Sequence, residues 1–195
     1  MSDEKKWINE IAAGSESAFR RLYDRYSVKV FNTAISYTKN KEDAEEILQD
    51  VFVVIFNTAN KFRGDSSVST WIYRITVNKS LDYVRKKNAT KRQGIFMSFH
   101  RKDSDELIIE PVDFVHPGVK MENTENATLL FRVIDQLSEN QKTAFILTQV
   151  EGLSQKKVAE IMNTSRKSVE SLLQRAKKNL SKELEKYYPD RGKKG

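Results

Sequence analysis

The chain has 195 residues, 31% of them charged and 38% hydrophobic, and its 34 Lys and Arg outnumber 27 Asp and Glu for a net charge of +7. That length holds one medium domain or two small helical ones, and the positive surplus favours a polyanionic partner, nucleic acid first. Cysteine is absent, which excludes disulfides, thiolate metal sites and thiol nucleophiles and fits a reducing cytoplasm. The first residues lack the apolar core of a signal peptide and no apolar run approaches a bilayer span, so the expectation is a cytoplasmic protein without membrane insertion.

Nearly every periodic stretch repeats at helical spacing, and no alternating run argues for a sheet, so an all-α fold of two small helical domains joined by a flexible linker is expected. The first helical set runs from about Trp7 to Lys87. Gly14-Ser15 and Lys39-Asn40-Lys41 read as breaks, and Gly64-Asp65-Ser66-Ser67 as a polar loop. On the helix that starts at Lys41, the residues Ala44, Ile47, Leu48, Val51, Val54 and Ile55 form one apolar arc, and Asp43, Glu46, Gln49 and Asp50 gather opposite it. An acidic face in a basic protein repels DNA and steers in a basic protein partner. The helix dipole accounts for acids in the first turn but not for Asp50.

Beyond the polar loop, Trp71, Arg74, Asn78, Asp82 and Arg85 project in one stripe, ahead of Lys86 and Lys87. Aromatics interleaved with cations and amides suit unpaired bases, which stack on rings while cations track the backbone. A core position for Trp71 and Tyr73 is the simpler alternative.

Periodicity stops from Asn88 to about Asn123, where Pro111 and His116-Pro117-Gly118 also fall, so residues 91–124 read as a linker between units at 1–90 and 125–188. Its charge is polarised, basic through Lys102 and acidic after it. Residues 189–195 form a basic tail. Both histidines, His100 and His116, lie in the linker, and no metal site, cofactor motif or catalytic constellation is recognisable, so no enzyme is expected.

In the second unit Ser138 and Gln141 have capping-box spacing, and Gly152 can end the helix they start. Ser154 and Ser165 can cap two further helices around a left-handed Asn163, a helix-turn-helix pattern. Val169, Leu172, Leu173, Ala176, Leu180 and Leu184 make the apolar stripe of the last helix, with Lys167, Ser171, Gln174 and Lys178 opposite. Such a face can enter the major groove, with Arg166, Lys167 and Arg175 leading the phosphate or base contacts.

The order of these motifs resembles the extracytoplasmic-function (ECF) group of the sigma-70 family of bacterial RNA polymerase sigma factors. Asp43-Ala-Glu-Glu-Ile-Leu-Gln-Asp-Val-Phe52 looks like that family's polymerase-binding helix. Phe62-Arg-Gly through Trp71-Ile-Tyr-Arg-Ile-Thr-Val-Asn78-Lys-Ser-Leu-Asp82-Tyr-Val-Arg85 looks like its minus-ten segment, and Leu137-Ser-Glu-Asn-Gln-Lys-Thr-Ala-Phe145 onward to Leu180 like its minus-thirty-five domain. The resemblance implies polymerase docking through Asp43, Glu46, Gln49, Asp50 and Phe52. It implies capture of a flipped base by the loop from Phe62 to Ser69, including Arg63, Asp65 and Ser67, with Trp71, Arg74, Asn78, Arg85 and Lys86 on minus-ten DNA. For the minus-thirty-five element it points to Ser165, Arg166, Lys167, Ser168, Ser171, Gln174, Arg175 and Lys178.

The partners it implies are core RNA polymerase, promoter DNA and an anti-sigma factor, with the chain monomeric when free of them. Two departures stand out: Glu170 and Leu172 occupy recognition-helix positions that are often basic in the family, and Ser138 replaces a usual proline. A repressor or activator using only the helix-turn-helix is the alternative, and it predicts a palindromic site and no need of polymerase.

Overall fold

Side-chain caps set most of the helix boundaries. In this computed structural model residues 3–98 and 124–188 are described, and side chains within 3–90 and 128–188. Residues 99–123 of the expected linker at 91–124, with Pro111 and both histidines, and the tail from 189 lie outside the described residues. Helix α1 (Asp3–Ala12) is followed by Ser15, whose hydroxyl accepts the Ala18 N–H at 3.3 Å and starts α2 (Glu16–Thr38). Lys39 breaks α2 in the left-handed conformation at φ 52°, and Asn40 caps α3 (Lys41–Thr58) by accepting the Asp43 N–H at 2.8 Å. A 3-10 turn at Ala59–Lys61 and a loop through Gly64 lead to α4 (Val68–Ser98). Gly64 has φ +77°, which costs a glycine nothing and any other residue strain. The Ser67 hydroxyl accepts the Thr70 N–H at 3.1 Å and so starts α4.

The apolar arcs of α1 to α4 meet in one core, where Ile8, Leu22, Val30, Ile47, Val51, Ile55 and Ile72 are fully buried. Each such side chain contributes about 1.5–3 kcal/mol. Helix α4 continues past the expected stop at Lys87 to Ser98. No apolar stripe marks this extension, but Ala89, Lys91, Arg92 and Gln93 are good helix formers, and adding turns to an existing helix needs no new nucleus.

The second unit comprises α5 (Thr124–Ile134), α6 (Glu139–Phe145), α7 (Gln155–Ile161) and α8 (Arg166–Glu185). Phe131, Ile134, Ile146, Leu147, Val158 and Val169 form its core. Ser154 caps α7 through the Lys157 N–H at 3.3 Å, Asn163 makes the left-handed turn at φ 50°, and Ser165 caps α8 through the Ser168 N–H at 3.1 Å. Ser138 precedes α6 in extended conformation but makes no side-chain cap, and the Gln141 amide oxygen accepts from Asn179 at 3.1 Å, so the expected capping box does not close. After α6 the backbone widens into a π turn over Ile146–Val150, with the Glu151 N–H donating to the Ile146 carbonyl at 3.0 Å. The Thr148 hydroxyl donates back to the Ala144 carbonyl at 2.6 Å, the kind of bond that bends helices. All regular structure among the described residues is helical, and no described helix is long and apolar enough to cross a membrane.

Candidate nucleic-acid interface

Three surfaces contain the residues singled out by sequence. On α3, Glu46, Gln49 and Asp50 are exposed, as their helical spacing predicts. Asp43 is drawn inward, where the Tyr83 hydroxyl donates to its carboxylate at 2.8 Å and Lys87 pairs with it. That bond pushes the Tyr83 phenol up to about 12. Asp50 pairs with Lys79 at 3.0 Å, so cations of α4 already neutralise part of the acidic face. Phe52 is 3% exposed, with its ring edge-on to Phe19 at 5.9 Å, and belongs to the core. Beside it Val53 and Phe56 remain exposed.

At the head of α4, Phe62 and Trp71 lie half-buried with ring centres 5.0 Å apart. Arg63 and Asp65 form an exposed pair at 3.0 Å. Gly64, Asp65, Ser66, Ser67 and Arg74 border a cavity with Lys5 of α1 and Glu160 of α7. Asn78, Arg85 and Lys86 are exposed further along α4, while Tyr73 is 5% exposed and takes the core position that sequence had kept as the alternative.

On α8, Arg166, Lys167, Gln174, Arg175 and Lys178 are exposed and Ser168 and Ser171 half-buried, opposite the buried Val169, Leu173, Ala176 and Leu180. The Ser165 hydroxyl is engaged as the helix cap. Of the two departures from the family pattern, Glu170 is exposed and Leu172 half-buried against the core.

Sequence gave no sign that the second unit covers the first. Arg74 donates to the Glu160 carbonyl from Nε at 3.2 Å and from Nη2 at 2.5 Å. Lys157 Nζ donates to the Ser67 and Thr70 hydroxyls, both at 2.5 Å. Arg85 Nε reaches Glu139 at 2.8 Å, Lys39 pairs with Asp135, and the buried Tyr37 hydroxyl donates to Thr143 at 3.0 Å. Helix α7 thus lies across the loop and the start of α4. Lys5, Glu139, Glu151, Lys157 and Glu160 carry or border this contact, and nothing in their sequence spacing reveals it because their partners lie 54 to 90 positions away.

Glu151 is a half-buried acid of the contact, with the Tyr73 hydroxyl donating to it at 3.4 Å. Burial raises its carboxyl to about 7, against the lowering influence of Thr33, Tyr73 and Lys29. A solvated glutamate releases its proton near pH 4.3, so the closed arrangement holds one more proton between those values and is favoured below pH 7. Lys39 acts in the opposite sense at higher pH, because burial and neighbouring Lys142 lower its ammonium to about 8. From pH 8 to pH 6 the closed arrangement is expected to gain about tenfold through Glu151 and lose about twofold through Lys39, a net gain of about fivefold. Energy transfer between dyes on the two units measures this, and Glu151→Gln is expected to abolish the gain.

Among the described residues the fold is all helical, with an acidic helix face, a polar loop bracketed by a tilted aromatic pair and a capped helix-turn-helix of the kind that binds DNA. The family model described as Sigma-70 region 2 matches residues 22–90, and that described as Sigma-70, region 4 matches residues 128–180. The chain is 27% identical to the ECF RNA polymerase sigma-E factor of Haemophilus influenzae over 91% of its own length and 93% of the relative's. It is 26% identical to the RNA polymerase sigma-H factor of Pseudomonas aeruginosa, with 95% of each chain covered. Its fold is similar to that of CnrH solved with the cytosolic domain of CnrY, at a TM-score of 0.67 and 22% identity over 94% of this chain and 98% of that one. RpoE of Bartonella quintana, solved with the anti-sigma factor NepR, gives 0.57 and 19% over 86% and 96%. The chain belongs to the ECF group of the sigma-70 family, and it is a sigma factor.

Proposed function

We propose that this sigma factor grips core RNA polymerase through Glu46, Gln49 and Asp50 of α3, with Asp43 and Phe52 holding that helix in place from behind. The loop from Phe62 to Ser69, with Trp71, Arg74, Asn78, Arg85 and Lys86, takes and opens the minus-ten element, and α8 holds the minus-thirty-five element through Arg166, Lys167, Ser171, Gln174, Arg175 and Lys178. Ser165 and Ser168 serve that surface by fixing the start of α8. The observation that carries this reading is the loop at the head of α4: the Phe62–Trp71 pair brackets it, and its Ser66 and Ser67 border a cavity with Arg74, supplying the rings, hydroxyls and cation that an unpaired base and its backbone require. Glu160 of α7 walls the cavity and holds two of the five N–H donors of Arg74, so in this reading the second unit leaves α4 before the minus-ten element is read.

In this reading the chain works in the cytoplasm as a monomer until it meets polymerase, with a first unit that runs to the end of α4 at Ser98, a second from α5 at Thr124 to residue 188, a linker between them and a basic tail at 189–195. It makes and breaks no covalent bond, and binding energy alone opens the duplex. CnrH and the Bartonella quintana RpoE were each solved with a partner, named an anti-sigma factor for RpoE. An anti-sigma factor that keeps the two units together is accordingly the proposed negative regulator.

Runoff transcription with core polymerase of the same organism tests the function. New starts that need this chain are expected; specific DNA binding with no start would favour a helix-turn-helix regulator instead. Lys167→Ala is expected to weaken promoter binding and to reduce its salt slope by about one unit, as loss of one phosphate contact does. Titration of promoter affinity against salt measures it.

A further inference from the structure

Helix α1 lies outside the segments matched by both family models, yet its Lys5 reaches the loop that borders the cavity at the head of α4. Lys5 Nζ donates to the Gly64 carbonyl at 3.0 Å. The loop turns at this point through the positive φ of Gly64, and a Cβ built there would stand 3.3 Å from Lys5 Nζ, so ammonium and turn are closely fitted. An ammonium has three donors, and the carbonyl uses one. Among the described residues no carboxylate lies within ion-pair distance of Lys5: Asp65 pairs with Arg63, and Glu160 faces Thr70.

With the second unit in place the cavity holds about 490 Å³, and Glu160 of α7 forms one of its walls. Its lining groups are Lys5, Arg74, the Ser66 and Ser67 hydroxyls, the Gly64 backbone, Asp65 and Glu160. Removal of the second unit takes Glu160 away and releases Arg74, leaving two cations, two hydroxyls and Asp65, whose charge Arg63 pairs, around one opening. That is the chemistry of a phosphate site, in which hydroxyls and cations fix a strand while the loop takes its base.

We propose that Lys5 is a DNA-binding residue of the minus-ten site: it anchors Gly64 and gives its remaining N–H groups to the phosphate of the nucleotide whose base enters the loop. The inference rests on the minus-ten reading of this loop. The protein then reads the melted strand with α1 as well as with α4, and the site is incomplete in a fragment that starts at α2.

The test uses holoenzyme reconstituted from core polymerase and full-length chain, and a single-stranded oligonucleotide carrying the minus-ten sequence of a promoter that the wild type transcribes. Lys5→Gln is expected to weaken binding on the order of fivefold and to lower the salt slope by about 0.7, the value for one phosphate on a single strand. Lys5→Arg is expected to keep both, because a guanidinium donates to carbonyl and phosphate alike. An unchanged affinity for Lys5→Gln, or a weaker affinity with an unchanged slope, overturns the phosphate contact. Wild-type holoenzyme that fails to bind the oligonucleotide overturns the minus-ten reading itself.

Discussion

A chain carrying Tyr37→Phe and Lys157→Ala should open, with the ratio of open to closed molecules rising roughly a hundredfold. Tyr37 supplies a buried hydrogen bond between the units, and its removal leaves the Thr143 hydroxyl without that partner. Lys157 supplies two bonds to the Ser67 and Thr70 hydroxyls at the far end of the contact. Loss of one partner of a buried hydrogen bond costs about 1–3 kcal/mol, and the partly exposed Lys157 belongs at the lower end of that range. Well-separated losses add, so the pair amounts to about 3 kcal/mol, or roughly a hundredfold. The readout is energy transfer between the units together with affinity of the free protein for minus-ten single-stranded DNA. Transfer should fall and affinity rise. Neither residue is placed on minus-ten DNA, so a rise reports uncovering of the site. An unchanged affinity in an open molecule would mean that α7 does not mask it.

The second large effect is on polymerase binding. Glu46→Lys with Asp50→Lys should lower affinity for core polymerase by about a hundredfold or more, since reversed charges at an interface cost several kcal/mol. Both residues are exposed, and the Asp50–Lys79 pair that the variant loses is a solvent-exposed one worth about 0–1 kcal/mol, so helix content and melting temperature should stay close to wild type. Asp43 is excluded from this variant because it anchors Tyr83 and Lys87, and its reversal would disturb the packing of α3 on α4. Calorimetry or a labelled-protein titration against core polymerase gives the affinity. Retained binding with both acids reversed would move the docking surface off this face, toward the exposed Val53 and Phe56 nearby.

The sequence was most informative where structure is local. Asn40, Ser154 and Ser165 cap the helices that follow them, and Asn163 adopts the left-handed turn, because each forms its bond within three residues of itself. The stripes of α3 and α8 were legible for the same reason, their period being fixed by the helix. Ser138 shows the limit: it has the right spacing to Gln141, but Gln141 turns to Asn179 of α8 instead. The π turn at Ile146–Val150 leaves no periodic signature, since one widened turn changes no pattern of apolar residues.

For the candidate site, the loop and the exposed faces of α3 and α8 could be located from charge and spacing. The burial of Phe52 and the inward pull on Asp43 could not, because α2 and α4 decide them. Least legible was the contact between the units. Glu160 and Lys157 look like ordinary surface residues of a short helix, and only the tertiary arrangement brings them against Arg74 and Ser67.

In the proposed mechanism the minus-ten DNA and the second unit exclude one another at the head of α4. Energy transfer between a dye on Asn57 of α3 and a dye on Lys182 of α8, both exposed, tests it most directly. High transfer is expected in the free chain at pH 7, with a large loss when core polymerase and promoter DNA are added. High transfer that persists in a transcribing complex would contradict it.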